Sequence, residues 1–104
     1  MIGIDTVRNI TRKIPETKDD LIDLIKERIK NTVSDTLDLS DIDVSLIKDM
    51  SSLFSGWTLK NNSYIKTINF DGWNTENVVN MNCMFANCNT LKTLDLSMFN
   101  TKNV

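Results

Sequence analysis

The sequence predicts an α/β protein, a short solenoid of stacked repeats with a narrow parallel sheet and an N-terminal capping helix. Three observations predict it. A string of apolar and turn residues returns at Leu37, Ile68 and Leu94. Apolar residues at helical period precede the first copy, over 17–31. Residues 51–104 hold eleven asparagines. Asparagine favours turns and caps over long regular elements, so many short segments are expected.

Length and charge set outer bounds. The 104 residues make one small domain, and 40% apolar with 25% charged residues suits an ordinary folded unit. Fourteen acids against twelve bases leave a net charge of -2. That near-balance argues against a nucleic-acid binder or a polybasic membrane binder. Histidine is absent from the sequence, which excludes triads and metal or haem sites that use it. No run approaches the roughly 18 apolar residues of a membrane span. Met1 to Arg12 has no apolar core of signal-peptide length. The expected division is an arm (1–16), a capping helix with its entry (17–36), and repeats (37–104), two copies complete and a third truncated.

The elements follow in order. Ile2, Ile4, Val7 and Ile10 form a small apolar set in a weakly patterned arm of uncertain order. Pro15 stands just outside the helix, and Thr17 is its expected cap with Asp20 three residues on. Leu21, Ile22, Leu24, Ile25 and Ile29 form one broad stripe. A helix this short is marginal alone, so its stripe is expected to face a core.

The copies are Leu37-Asp-Leu-Ser40, Ile68-Asn-Phe-Asp71 and Leu94-Asp-Leu-Ser97, each followed by a matching tail. A five-residue insertion near Leu59–Asn62 lengthens the first. Ile65-x-x-Ile68-x-Phe70 and Leu91-x-x-Leu94-x-Leu96 have the spacing of leucine-rich repeats. The last two apolar positions of each predict a very short strand. Asp43, Asn74 and Asn100 stand where a turn or helix cap is needed. Val78, Met81, Met84 and Phe85, matched by Ile47, Met50, Leu53 and Phe54, predict a two-turn helix per copy. One copy cannot bury its apolar face alone, whereas stacked copies share a core.

The recurring string N-V-x-N-M-x-x-M-F-x-x-C-x-x-L-x-x-L-x-L-S-x-F-N-T-x-N-V, from about Leu37 to Val104, resembles the BspA-like leucine-rich repeat family. That family includes a repeat described in mycoplasma lipoproteins. The helix at Leu21–Lys30 leading into Asp41-Ile-Asp43 is similar to its entry segment. The resemblance implies surface proteins of bacteria or parasites that adhere to host or neighbouring cells. Related repeats occur in large viruses and phages.

Side chains with chemistry are few. Cys83 and Cys88 match no zinc or redox spacing and read as free thiols, Cys88 inward and Cys83 outward. Asp35, Asp38, Asp41 and Asp43 lack the calcium-loop pattern and read as a solvated face with a turn cap. The recurring methionines and phenylalanines read as core filler. The sequons at Asn9 and Asn61 are expected by chance in an asparagine-rich chain. No cofactor, metal or nucleophile–base pair is expected, so the chain does not read as an enzyme. Trp73 and Tyr64 are the aromatic candidates for a surface contact.

The string breaks off inside its third copy, which leaves Leu94, Leu96, Met98, Phe99 and Val104 without the cover that the pattern calls for. An uncovered parallel edge pairs readily with another chain, so these residues are the expected association surface. Two copies meeting end to end would close as a homodimer. The expected function is a non-catalytic module that binds a protein partner by an exposed repeat face. The alternative is a structural subunit of a virion or surface layer, joined through that C-terminal edge.

Overall fold

The computed structural model describes residues 13–55 and 64–104. Most of the arm, the insertion at 59–62 and both sequons lie outside them. The described chain runs α1 (Lys18–Asn31), β1 (Thr36–Asp38), β2 (Thr67–Asn69) and β3 (Thr93–Leu94). Thr17 caps α1, its hydroxyl accepting from the Asp20 amide at 3.2 Å. Asp19 and Asp20 occupy the first turn and Arg28 and Lys30 the last, matching the helix dipole. The chain leaves the helix at Thr32, whose hydroxyl donates to the Arg28 carbonyl at 2.7 Å.

The three strands form a parallel sheet in the order β1-β2-β3. Leu37 pairs with Ile68, and Ile68 with Leu94, the alignment that the repeat offsets predict. Between strands, each copy turns by the same chemistry. Asp38, Asn69 and Asp95 accept from the amides of Ser40, Asp71 and Ser97 at 2.9–3.0 Å. Asp43, Asn74 and Asn100 do the same for Ser45, Glu76 and Lys102. Asp49 and Asn80 do it for Ser51 and Asn82. An Asx side chain that bonds its own backbone two residues on defines a corner. The asparagine and aspartate pattern is therefore a pattern of corners.

The two-turn helices expected over 47–54 and 78–85 do not form. Those stretches are successive turns joined by a parallel bridge between Asp49 and Asn80. The amides of Met50, Ser52 and Phe54 donate sideways to the carbonyls of Asn80, Asn82 and Met84, each at 2.8 Å. A helix would have used those amides internally. Ser52 and Cys83 also have φ of 56°, a left-handed conformation that no right-handed helix passes through. The spacing of Val78, Met81 and Met84 is three residues, the period of tight turns and not 3.6.

Burial at several matching positions is alike in the first two copies and falls in the last. Leu39 is fully buried, its counterpart Phe70 is 1% exposed, and Leu96 is 37% exposed. Ile47 and Val78 are buried, while Val104 is 54% exposed. Met50 and Phe54 are buried, and Met81 and Phe85 only partly so. Aromatic rings tie the copies together. Phe85 stacks on Phe54 at 5.5 Å, Phe99 stacks on Trp73 at 6.2 Å, and Phe70 meets all four edge-on. Thr75, the one buried polar residue among those described, exchanges hydrogen bonds with the Asn100 backbone at 2.8 and 3.1 Å. Asn77 and Asn103 each reach back to the preceding copy, to the carbonyls of Ser45 and Glu76.

The opposite end is closed. Leu21, Ile25 and Ile29 of α1 are buried in the same core as Leu37 and Leu39. Arg28 clamps the helix to the first corner, bonding both Asp41 oxygens at 2.7 and 2.8 Å and the Asp38 carbonyl at 2.7 Å. This pairing holds the Asp41 carboxyl below its ordinary range and raises Arg28 above its own, hydrogen bonding being the leading cause in both. Lys18 bonds the backbone and hydroxyl of Ser51, and it pairs with Asp49. The last residues of the arm also belong to the fold. Lys13 bridges to Ile42, and Pro15 is buried.

Two outcomes follow for stability. Leu37→Ala costs about 3 kcal/mol, whereas Leu94→Ala at the matching position costs less, about 2 kcal/mol, because its side chain is only partly buried; urea denaturation measures both. Asp41→Asn destabilises the fold at neutral pH by about 1 kcal/mol, discounted for the partial exposure of the pair. The Asp41 contribution is full above the ordinary aspartate value of about 4 and is lost as pH falls through the lower folded value. Thermal melts of the two chains therefore diverge at pH 7 and converge in acid.

Candidate functional site

The C-terminal end of the stack carries an open groove of about 440 Å³. Met81, Met84 and Phe85 form one part of its lining, and Leu96, Phe99 and Thr101 the other. The corner turns set the first group and the segment after β3 sets the second. These residues stand where Met50, Leu53, Phe54, Phe70, Trp73 and Thr75 stand one copy earlier, and there the next copy covers them. The groove is the same surface met one step further on.

Its backbone is open as well. The amides of Met81, Cys83 and Phe85 correspond to those of Met50, Ser52 and Phe54, which donate to the following copy. Among the described residues none of the three has an acceptor. The carbonyl of Val79 corresponds to that of Lys48, which accepts from Val79, and it has no donor among the described residues. An apolar floor beside an alternating polar edge suits a polypeptide in extended form. Main-chain bonds then supply affinity and the floor supplies selectivity.

The titratable groups nearby serve the scaffold. Hydrogen bonds from Ser97 hold the Asp95 carboxyl below its usual range. Cys88 is partly buried, its thiol donates to the Phe54 carbonyl at 2.6 Å, and burial pushes its pKa up. A thiol held protonated in this way is a poor nucleophile. Cys83 is exposed, and both cysteines are free. Among the described residues no group of carboxylates and thiols could hold a metal ion. No described helix is long and apolar enough to cross a membrane.

The structure gathers some of the expected contact residues and separates others. Leu96 and Phe99 line the groove, while Leu94 and Met98 lie beneath, packed against the core. Val104 is exposed but does not line it. Trp73 is a correction. It is 3% exposed, and its indole N–H donates to the Leu39 carbonyl at 2.8 Å, so it joins two copies and offers no surface contact. Tyr64 is exposed, but its hydroxyl donates to the carbonyls of Ile29 and Thr32 and ties the end of α1 to the second copy. Met81, Met84 and Phe85, read from the sequence as core, do pack in or against the core, Met84 at 3% exposure, and they also line the groove.

Parallel strands cornered by Asx turns and lidded by a helix define the class, a small α/β protein built from internal copies. The chain belongs to the family described as "Mycoplasma protein of unknown function, DUF285", whose model matches residues 24–104. The match begins within α1 and takes in all three copies. No curated protein and no solved structure matches the chain.

Proposed function

We propose that the chain is a non-catalytic protein-interaction module. It is a short leucine-rich-repeat solenoid that binds a protein partner by the exposed face of its last copy. One observation carries this reading: the Met81–Phe99 groove lies beside three amides that have no acceptor among the described residues. Within the chain, the equivalent surface of the preceding copy is already a polypeptide-binding surface, with three amide bonds and a stacked phenylalanine pair. The resemblance to BspA-like surface repeats agrees with a binding role, and the scaffold alone leaves the partner open.

A peptide of residues 74–90, the chain's own second copy, is a direct probe. Titrated into dilute protein, it is expected to shift the amide resonances of Met81, Cys83 and Phe85 and to leave those of α1 unmoved. No shift at these amides at saturating peptide would defeat the reading.

A further inference from the structure

We infer that α1 is an edge guard: Lys18 and Arg28 occupy carbonyls that a neighbouring strand would otherwise take, and so keep the first copy from pairing with another chain. The guard lies at the end of the stack opposite the groove and does not depend on it.

Matching positions in two copies show what is guarded. The second copy bonds to the first along both lines of backbone pairing. The Thr67 amide donates to the Asp35 carbonyl at 3.2 Å, the Asn69 carbonyl accepts from the Leu39 amide at 3.0 Å, and the Asn82 carbonyl accepts from the Ser52 amide at 2.8 Å. Thr36, Asp38 and Ser51 are the counterparts in the first copy, on the side that faces α1. There a side chain takes over each bond. The Thr36 amide donates to the Ser34 hydroxyl at 3.3 Å, the Asp38 carbonyl accepts from Arg28 Nη1 at 2.7 Å, and the Ser51 carbonyl accepts from Lys18 Nζ at 3.2 Å. Ser51 holds the middle one of three such carbonyls. The outer two, of Asp49 and Leu53, have no donor among the described residues.

The geometry of α1 suits this task. An α-helix keeps its backbone bonds to itself, so it offers an incoming strand no edge. Lys18 and Arg28 stand near its two ends, about 15 Å apart along the axis. One cation reaches the second line of pairing and the other reaches the strand line.

The sequence reserves acids for the same place. Asp49 pairs with Lys18 at 3.7 Å and Asp41 with Arg28 at 2.7 Å. The matching positions of the second copy are Asn80 and Gly72. Carboxylates therefore stand where a cation has to be held and not where copies meet. A strand arriving at this edge must displace donors that are both charged and pinned, and such bonds are roughly twice as strong as neutral ones. Charged side chains are a common means of blocking the edge of a sheet.

Methionine at positions 18 and 28 keeps an apolar stem and removes the donors. Lys18→Met and Arg28→Met are each expected to lower the concentration at which the whole chain associates by about threefold, and the two together by about tenfold. Sedimentation against the parent chain measures this, and any association of the parent through another face is the common baseline. Lys30→Met removes a cation from an exposed position of the same helix and is expected to stay at that baseline. Thr36→Pro deletes the edge amide, and added to the double variant it is expected to restore the baseline. Circular dichroism at the same concentrations checks that α1 persists; should the double variant lose it, the two single variants decide. Single and double variants that associate no more than the parent overturn the inference. So does a Lys30→Met chain that associates as strongly as Arg28→Met, or a double variant that Thr36→Pro leaves unchanged.

Discussion

The structure depends on sideways hydrogen bonding between successive copies. Each copy has only two or three strand residues, too few to make a stable element by itself. What holds them is a second line of bonds, from Met50, Ser52 and Phe54 to the next copy, on the far side of the core from the strands. Two lines of backbone pairing fix the copies in register, and the side chains between them meet their counterparts in the next copy. Phe54 stacks on Phe85 and Trp73 on Phe99 as that register aligns them. The aromatic stack is a consequence of the pairing and adds to it.

A stack of this kind has ends, and the two ends differ. The first copy meets a helix from its own chain, anchored by a bidentate arginine and a tyrosine hydroxyl. The last copy presents the surface that its predecessors bury. Relative exposure at matching positions records this, rising from Leu39 through Phe70 to Leu96. The least buried copy is also the one with open backbone groups. Binding surfaces tend to lie where local stability is lowest.

Much of the fold was legible because repetition is a strong signal. Aligning Leu37, Ile68 and Leu94 placed the strand pairs to the residue, and the stripe from Leu21 to Ile29 placed the helix. The short helices were misread for a specific reason. Apolar residues three apart fit a tight turn as well as a helix, and the asparagines at 80 and 82 favoured the turn. Trp73 was misplaced because its counterparts Ile42 and Phe99 do not reveal that an indole N–H will find the Leu39 carbonyl. Half the groove lining was legible in Leu96 and Phe99. Met81, Met84 and Phe85 read as core, which they are, and their recurrence in the repeat does not reveal that they line a groove too.

The outer face of the sheet differs from the groove in how far its polar groups are already engaged. Repeat scaffolds can bind along a strand face, and here that face displays Thr36, Thr67 and Thr93 beside Asp38, Asn69 and Asp95. Its polar groups are largely engaged with one another. Each Asx oxygen accepts from its own corner, Asn69 also donates to Asp38 at 3.3 Å, and the hydroxyls of Thr67 and Thr93 bond at 2.8 Å. A partner arriving there must replace bonds that already exist, which returns little net energy. At the groove it covers apolar surface and meets amides that have no acceptor among the described residues. The two surfaces are built from the same copies, and only the second has unspent capacity. The chemistry that makes each corner self-sufficient thus leaves the sheet face with few free polar groups, while the groove keeps amides that have no acceptor among the described residues.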